Sequence, residues 1–551
     1  MYKKDYIDLL RQFADSLINS QFPSLGGGLF CSSCKVIHGR CIDAIYGLSI
    51  AYKTFKDEKY LDAIRGLLDY SKNLICDDGG IYNDLQTDWR YTTVFYVIDI
   101  VETLNSCKDI LPRDIVSRLE GGVKIHSKWL FNNLDENSYT NINYPANNVL
   151  ALFLSSSYLG NKEYLSKASY LADYVLKHIS TNNLLFGEGK PHSAVTERGC
   201  YAIDIGYNLE ETLPALSKYA YLSKNEGMLS KLYEVSLAHL EFILPDGAID
   251  NSFSCRNYKW TYYGSRTCDG IIPMCFIFGK RNPLFYEAAK RNTRLIRECT
   301  HDGYLYGGPM YFRHLEKPCI HQTFEHLNSI AYAVDHLEEI PINNQEVALF
   351  SDLEYNKYYP EFDSYRIGNK NYLLDITCYD NNISYSGHAS GATLSMLYSR
   401  KDGPLIMGSV GEYQLTEPTN MQVPLKLKTH RPLLPRIEVK ENRKIYSSCY
   451  YTKVKKLGGL HFGCGLMSRD GEFLANSQFD IEYVISDDRV IIKINNLRID
   501  SPLLFPLISG EVKINKGKLK KKEEIFFLTP GFIATEYEIE KENESIEIEV
   551  K

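Results

Sequence analysis

Up to about residue 340, apolar side chains recur every three to four positions, and they do so in pairs of amphipathic segments. Residues 50–75, 155–179 and 218–244 each read as a helix end, a short polar turn and a second helix. Weaker copies stand at 278–296 and 323–337. One helix pair cannot bury its own apolar stripe, so repeated pairs either close into an α/α toroid or extend as a solenoid. The long connections at 132–148, 181–207 and 246–270, rich in Gly and Tyr, favour a toroid whose connections line a site. After 338–347 the period drops from helical to two. Segments 461–468, 481–497 and 533–550 alternate apolar and polar residues, with many β-branched and aromatic side chains. The expectation is an α/α toroid over 1–340 and an antiparallel β-sandwich over 341–551, joined near 338–350.

A chain of 551 residues is long enough for two cores, and its 44% apolar and 24% charged content is that of an ordinary globular protein. The 42 Tyr and 24 Phe against 3 Trp suit a cleft that stacks sugar rings, or reflect genome composition. A formal charge of −7 argues against nucleic acid or an anionic membrane as partner, so an acidic substrate must meet a local basic patch. The first residues, MYKKDYIDLLRQFADSL, lack the apolar core of a secretory leader, and no run reaches membrane-spanning length. If Met1 is the native start the expected location is cytoplasmic; otherwise it is periplasmic or secreted. Fourteen scattered Cys fit a reducing compartment better than a disulfide framework. Oligomeric state is left open.

Five segments carry candidate chemistry. In TNINYPANN (140–148), Asn147 and Asn148 precede a helix, where they either cap it or offer a carboxamide to a substrate carboxylate. The connection 186–216 holds His192 and Arg198, then places Tyr207 and Asn208 at a helix mouth. Tyr207 reads either as a reactive phenol or as a buried ring with its hydroxyl satisfied. Segment 246–270 gathers Arg256, Tyr258, Lys259, Trp260, Tyr262, Tyr263 and Arg266, guanidinium and aromatic groups of the kind an acidic sugar needs. His388 sits among small residues ahead of a strand in the sheet region. Cys31, Cys34, His38 and Cys41 have zinc-ligand types, but their spacing is tighter than that of common zinc modules, and buried thiols are the expectation there.

Together these segments resemble the heparinase II/III-like polysaccharide lyases, a family with an α/α toroid followed by an antiparallel β-sandwich. ANNV (146–149) is similar to the family's carboxylate-neutralising site and assigns that role to Asn148, with Val149 where a His is usual. IGYN (205–208) is similar to the Gly-Tyr-His signature, which assigns the catalytic phenol to Tyr207 and puts Asn208 in the His position. GHASGATLSM (387–396) matches the catalytic His with His388, while Ser390 replaces a second His. That His, with a downstream Asp, ligates a metal in some members; GSVGEY (408–413) lacks the Asp. The resemblance implies an incomplete toroid of six or seven pairs and β-elimination on a uronic-acid, glycosaminoglycan-type polysaccharide. No cofactor is needed for that chemistry, and a structural divalent metal is the one candidate.

Elimination removes the C5 proton of a uronate, so something must absorb the charge that develops on its carboxylate. Asn148 with Arg198, Arg256 or Arg266 would do so. Tyr207 alone can act as base and acid when proton and leaving oxygen are syn; in the anti arrangement His388 is the base and Tyr207 the acid. Three rivals share these residues: a uronate C5-epimerase, a non-catalytic carbohydrate-binding homologue, and an α/α-toroid glycoside hydrolase. The hydrolase would draw on Glu188, Glu197, Asp204, Glu211 and Asp250.

Overall fold

The polar turns that separate the helices of a pair are built on side-chain caps. Asp57, Asn161, Asn225 and Asn282 each accept a backbone N–H two or three residues ahead, starting the second helix of four pairs. The preceding helices of two pairs end in left-handed residues, Lys56 and Gly160. The computed structural model describes residues 3–551 except 23, 25, 86, 139–140, 190–194, 315–316, 341–345, 381–387, 410–431, 528–529 and 543.

Among the described residues six pairs result: α1 (Lys3–Asn19), α2 (Ile45–Phe55), α3 (Glu58–Ser71), α4 (Thr93–Cys107), α5 (Arg113–Asn133), α6 (Asn143–Leu159), α7 (Lys162–Leu176), α8 (Leu213–Leu222), α9 (Glu226–His239), α10 (Ile272–Gly279), α11 (Pro283–Glu298) and α12 (His321–Asp335). The even-numbered helices touch in succession, and α12 returns to touch α2. Each odd-numbered helix packs outside them, α1 against α12 and the rest against the helix before. Burial follows: α10 is covered along its whole length, whereas α11 buries one face. After several outer helices the chain makes the same small antiparallel bridge, Gln21 to Leu29, Ile75 to Ile81, Ile179 to Leu185 and Ile243 to Ile249. Those recurrent turns carry the residues that lead into the inner helices.

The described residues of the C-terminal part form three antiparallel sheets. The first runs in chain order through Tyr355–Tyr359, Ser364–Gly368, Tyr372–Thr377, Thr393–Ser399 and Gly403–Met407. Its alternating side chains serve two cores: Leu373, Met396, Tyr398 and Met407 join the helical core, while Leu374, Ile376, Leu394 and Leu397 join that of the other two sheets. In those sheets strands such as Phe479–Ile485, Val490–Asn495 and Ile546–Val550 alternate buried and half-open positions, as the period of two requires.

Polar contacts tie the first sheet to the helices. Arg366 pairs with Asp250 of the helical part at 2.6 Å and with Asp375 of its own sheet, all three nearly or fully buried. Glu361 accepts from Ser180 at 2.9 Å, and Phe362 stacks on Phe253 with ring centroids 4.4 Å apart. No helix among the described residues is long and apolar enough to cross a membrane. No disulfide joins any of the fourteen cysteines, all of which are described.

Candidate active site

Asp204 organises the turn that presents Tyr207. Its carboxylate accepts the Tyr207 N–H at 2.9 Å, the Arg256 N–H at 3.0 Å and the Asn251 carboxamide at 3.2 Å, binding the 204–207 turn to the 251–256 loop. One wide π turn, Asn208–Thr212, then leads into α8. The Tyr207 oxygen receives Lys259 Nζ at 3.1 Å and lies 2.5 Å from Thr267 Oγ1. The Arg256 guanidinium covers the same ring, 4.0 Å from its centroid.

Further groups support this cluster. Arg256 pairs with Glu188 at 2.9 Å, and Glu188 also accepts the Asn143 N–H at the start of α6, 2.7 Å away. Burial pushes the Glu188 carboxyl up to about 7, with Arg256 pulling the other way. Arg40 donates to the Thr267 carbonyl at 3.1 Å and pairs with Asp43 and Glu325 at 2.8 and 2.9 Å. Burial holds His321 well below the usual histidine range, and the positive charges of Arg40 and Lys259 act in the same direction. Glycine is required at position 39, where a Cβ would stand 1.9 Å from the Asn83 carbonyl oxygen, and this close approach fixes the path of the chain into Arg40.

A second group lies on the sheet side. His388 is 5% exposed, its ring parallel to that of Tyr379 with centroids 3.9 Å apart. Neither of its ring nitrogens hydrogen-bonds to a described residue. Tyr379 donates to the Tyr201 carbonyl at 2.8 Å, so the stack rests on the segment that runs on to Tyr207. Arg198 joins this group, pairing with Asp363 at 3.1 Å and donating to the carbonyls of Val454 and Cys378. Tyr201 itself is half-buried and stacks on Phe186 at 4.2 Å. Residues 190–194 and 381–387, adjoining these groups in sequence, lie outside the described residues, and His192 is among them.

Burial holds His388 neutral, down from the usual value near 6.5 to about 3. Between those values the unfolded chain binds a proton that the folded chain refuses, so stability falls as pH falls through that window. His388→Gln should remove this acid sensitivity. By pH 4.5 the parent should have lost about 3 kcal/mol more than the variant, relative to pH 7. Denaturant unfolding of both proteins across that range checks it, and parallel stability curves would count against the buried neutral imidazole.

Several expected positions differ in the folded chain. Trp260 and Tyr262 do not form a stacking surface. A hairpin, Trp260–Thr261 with Gly264–Ser265, folds them inward. There Trp260 donates to the Ile249 carbonyl at 2.8 Å, and Tyr262 donates to Asp246 at 2.7 Å while its ring meets Phe532 edge-on. Tyr258 and Arg266 are also buried, and the Arg266 N–H donates to the Lys259 carbonyl at 3.2 Å. Asn208 does not face an open ring; its carboxamide is buried against the Leu185 carbonyl at 2.9 Å and His239 at 3.1 Å. Asn147 and Asn148 do not cap α6, which already begins at Asn143 because Pro145 is tolerated in a first turn. Asn147 donates back to the Asn143 carbonyl at 2.8 Å, and Asn148, fully buried, points to the Leu134 carbonyl at 3.4 Å. Cys41 is buried apart from Cys31, Cys34 and His38, whose fourth neighbour is Cys319. In the sequence Glu188 is a candidate only as a hydrolase acid, and Arg40, Thr267, Tyr201 and His321 carry no signal, because only the fold brings them near Tyr207 or His388.

The family model of the ulvan lyase N-terminal domain matches residues 10–352, and that of the C-terminal domain matches 356–511. A broad-specificity ulvan lyase of Formosa agariphila is 30% identical, over 96% of this chain and 86% of its own. The chain belongs to the ulvan lyase family. It is therefore a polysaccharide lyase. Among solved structures, the Streptomyces coelicolor chondroitin AC lyase covers the whole of this chain and 79% of its own at a TM-score of 0.53 and 9% identity. At that identity the likeness concerns the fold. An α-1,6-mannanase of Salegentibacter covers 60% of this chain at a TM-score of 0.44 and 12% identity.

Within the ulvan lyase family assignment, the geometry separates the expected residues into two sets. Tyr207, Arg256 and Lys259 meet at one point, with Glu188, Thr267 and Arg40 behind them. His388 and Arg198 belong to the sheet-side group.

Proposed function

We propose that the chain depolymerises a uronic-acid polysaccharide of the ulvan kind, with Tyr207 as the proton-transferring phenol. The observation that carries this reading is the phenol oxygen set 3.1 Å from Lys259 Nζ beneath the Arg256 guanidinium. In a chain of net charge −7, this is a local concentration of positive charge of the kind an acidic sugar requires.

In the reaction a base takes the C5 proton, the electron pair moves toward the uronate carboxylate, and the C4–oxygen bond then breaks. The departing oxygen takes a proton, leaving a C4–C5 double bond on the new non-reducing end. Arg256 is the charge partner that the geometry favours for the carboxylate, and Asn148 is assigned there on the resemblance alone. Tyr207 protonates the leaving oxygen. For a syn substrate it is also the base, and for an anti substrate His388 takes that part, the division of labour of the heparinase II/III-like lyases. Burial leaves His388 neutral but, with its conjugate acid held down to about 3, only weakly basic, so the anti assignment rests on the resemblance.

We read the helices as an α/α toroid of six pairs, supported by the closed succession of contacts from α2 through α12, and the three sheets as a layered sandwich. The hydrolase reading loses support because four of its five candidate acids are engaged, with Glu197 alone on the surface. Glu188 pairs with Arg256, Asp204 accepts backbone N–H groups, Asp250 pairs with Arg366, and Glu211 accepts from Cys268 at 3.1 Å.

The test is a panel of ulvan, glycosaminoglycans and a neutral mannan, followed by the ultraviolet absorbance of unsaturated ends. Absorbance should rise on a uronate polymer and not on mannan. New reducing ends without unsaturation would mean hydrolysis, and C5 inversion without cleavage would mean epimerisation.

A further inference from the structure

Outside the reaction centre, three thiols and an imidazole crowd together. The ligand atoms of Cys31, Cys34, His38 and Cys319 all lie within 4.8 Å of one another. Cys34 Sγ is 3.4 Å from Cys319 Sγ, and Cys319 Sγ is 3.2 Å from His38 Nε2. Zinc bonds of about 2.3 Å to sulfur and about 2.0 Å to nitrogen place tetrahedral ligand atoms roughly 3.5–3.8 Å apart, so small side-chain adjustments suffice. Cys31, His38 and Cys319 are buried, while Cys34 is half-open and leaves a route for an ion.

The backbone is arranged for thiolates. Cys31 and Cys34 stand at the turn of a small hairpin, Phe30–Cys31 with Val36–Ile37. The Cys34 N–H donates to Cys31 Sγ at 3.3 Å, and the Lys35 N–H donates to the Cys31 carbonyl at 2.8 Å. Lys35 holds φ at 60°, a left-handed conformation that costs a non-glycine residue energy, and that conformation wraps the turn around the Cys31 sulfur. A backbone N–H directed at a sulfur favours its charged form, the form that binds a metal.

The fourth ligand explains what an ion would do. Cys31, Cys34 and His38 lie between α1 and α2, whereas Cys319 lies two residues before α12. The group therefore spans the seam where the last inner helix meets the first. We propose that Cys31, Cys34, His38 and Cys319 form a structural zinc site that fastens this seam. The site lies close to the reaction centre, because Arg40 follows His38 by two residues and holds the Thr267 carbonyl and Glu325, and the His38 ring is 5.5 Å from that of His321.

Metal analysis of the full-length chain, produced with zinc in the medium and freed of loose ions by gel filtration, tests this. About one zinc per chain is expected, with Cys34→Ser and Cys319→Ser each falling at least fivefold and Cys41→Ser keeping the parent content. A parent protein with under a tenth of an equivalent would overturn the site, as would a Cys34–Cys319 disulfide, or loss on Cys41→Ser with retention on Cys319→Ser. Should the serine variants fail to fold, cobalt exchanged into the parent decides. Intense tetrahedral visible bands with sulfur-to-cobalt charge transfer support the site, and weak octahedral bands overturn it.

Discussion

Tyr207→Phe is expected to cut the formation of unsaturated ends by at least about 10³-fold, a loss of roughly 4 kcal/mol of transition-state stabilisation. The phenyl ring can still sit beneath Arg256 and only the oxygen that meets Lys259 and Thr267 disappears, so the fold should survive. Initial rates by ultraviolet absorbance, together with a melting curve, separate chemistry from stability. A variant that keeps more than a tenth of the parent rate would remove Tyr207 from the reaction.

The second large effect concerns Arg256, which touches the Tyr207 ring and pairs with buried Glu188. Arg256→Ala should cost about 3–5 kcal/mol of stability, because Glu188, already pushed up to about 7, must either keep its charge without a cation or take up a proton. Adding Glu188→Gln should recover more than half of that loss by replacing the unpaired acid with a neutral amide that can still accept the Asn143 N–H. Activity should not return, since the amide restores neither the cation at the phenol nor the charge partner for substrate. Denaturant unfolding and initial rates on the single and double variants form the test. Recovery of activity in the double variant would make Arg256 a scaffold residue only.

The helical pairs were legible because their turns are written locally, an Asp or Asn cap following the end of an amphipathic segment, as at Asp57 and Asn161. The strands were legible through period two, as in Phe479–Ile485. Tyr207 was found through the IGYN motif, but its surroundings were not, because Lys259 and Thr267 lie 52 and 60 residues further along the chain. The aromatic run near 260 misled for a related reason: composition names the groups in a loop and is silent about which way a two-residue hairpin turns them. The start of α6 was misplaced by the bias against proline in helices, which does not apply in the first turn. The cysteine group shows the limit most clearly. Cys319 is 285 residues from Cys34, so near-neighbour spacing pointed to Cys41 instead.

The ion pair between Arg366 and Asp250 bears on how the molecule can be divided. Cutting the gene between helices and sheets would strand the buried Asp250 carboxylate on one fragment, leave Arg366 with Asp375 alone on the other, and lay bare the apolar face of the first sheet. Neither half is therefore a portable module. In this chain the helices and the first sheet have to be handled as one folding unit.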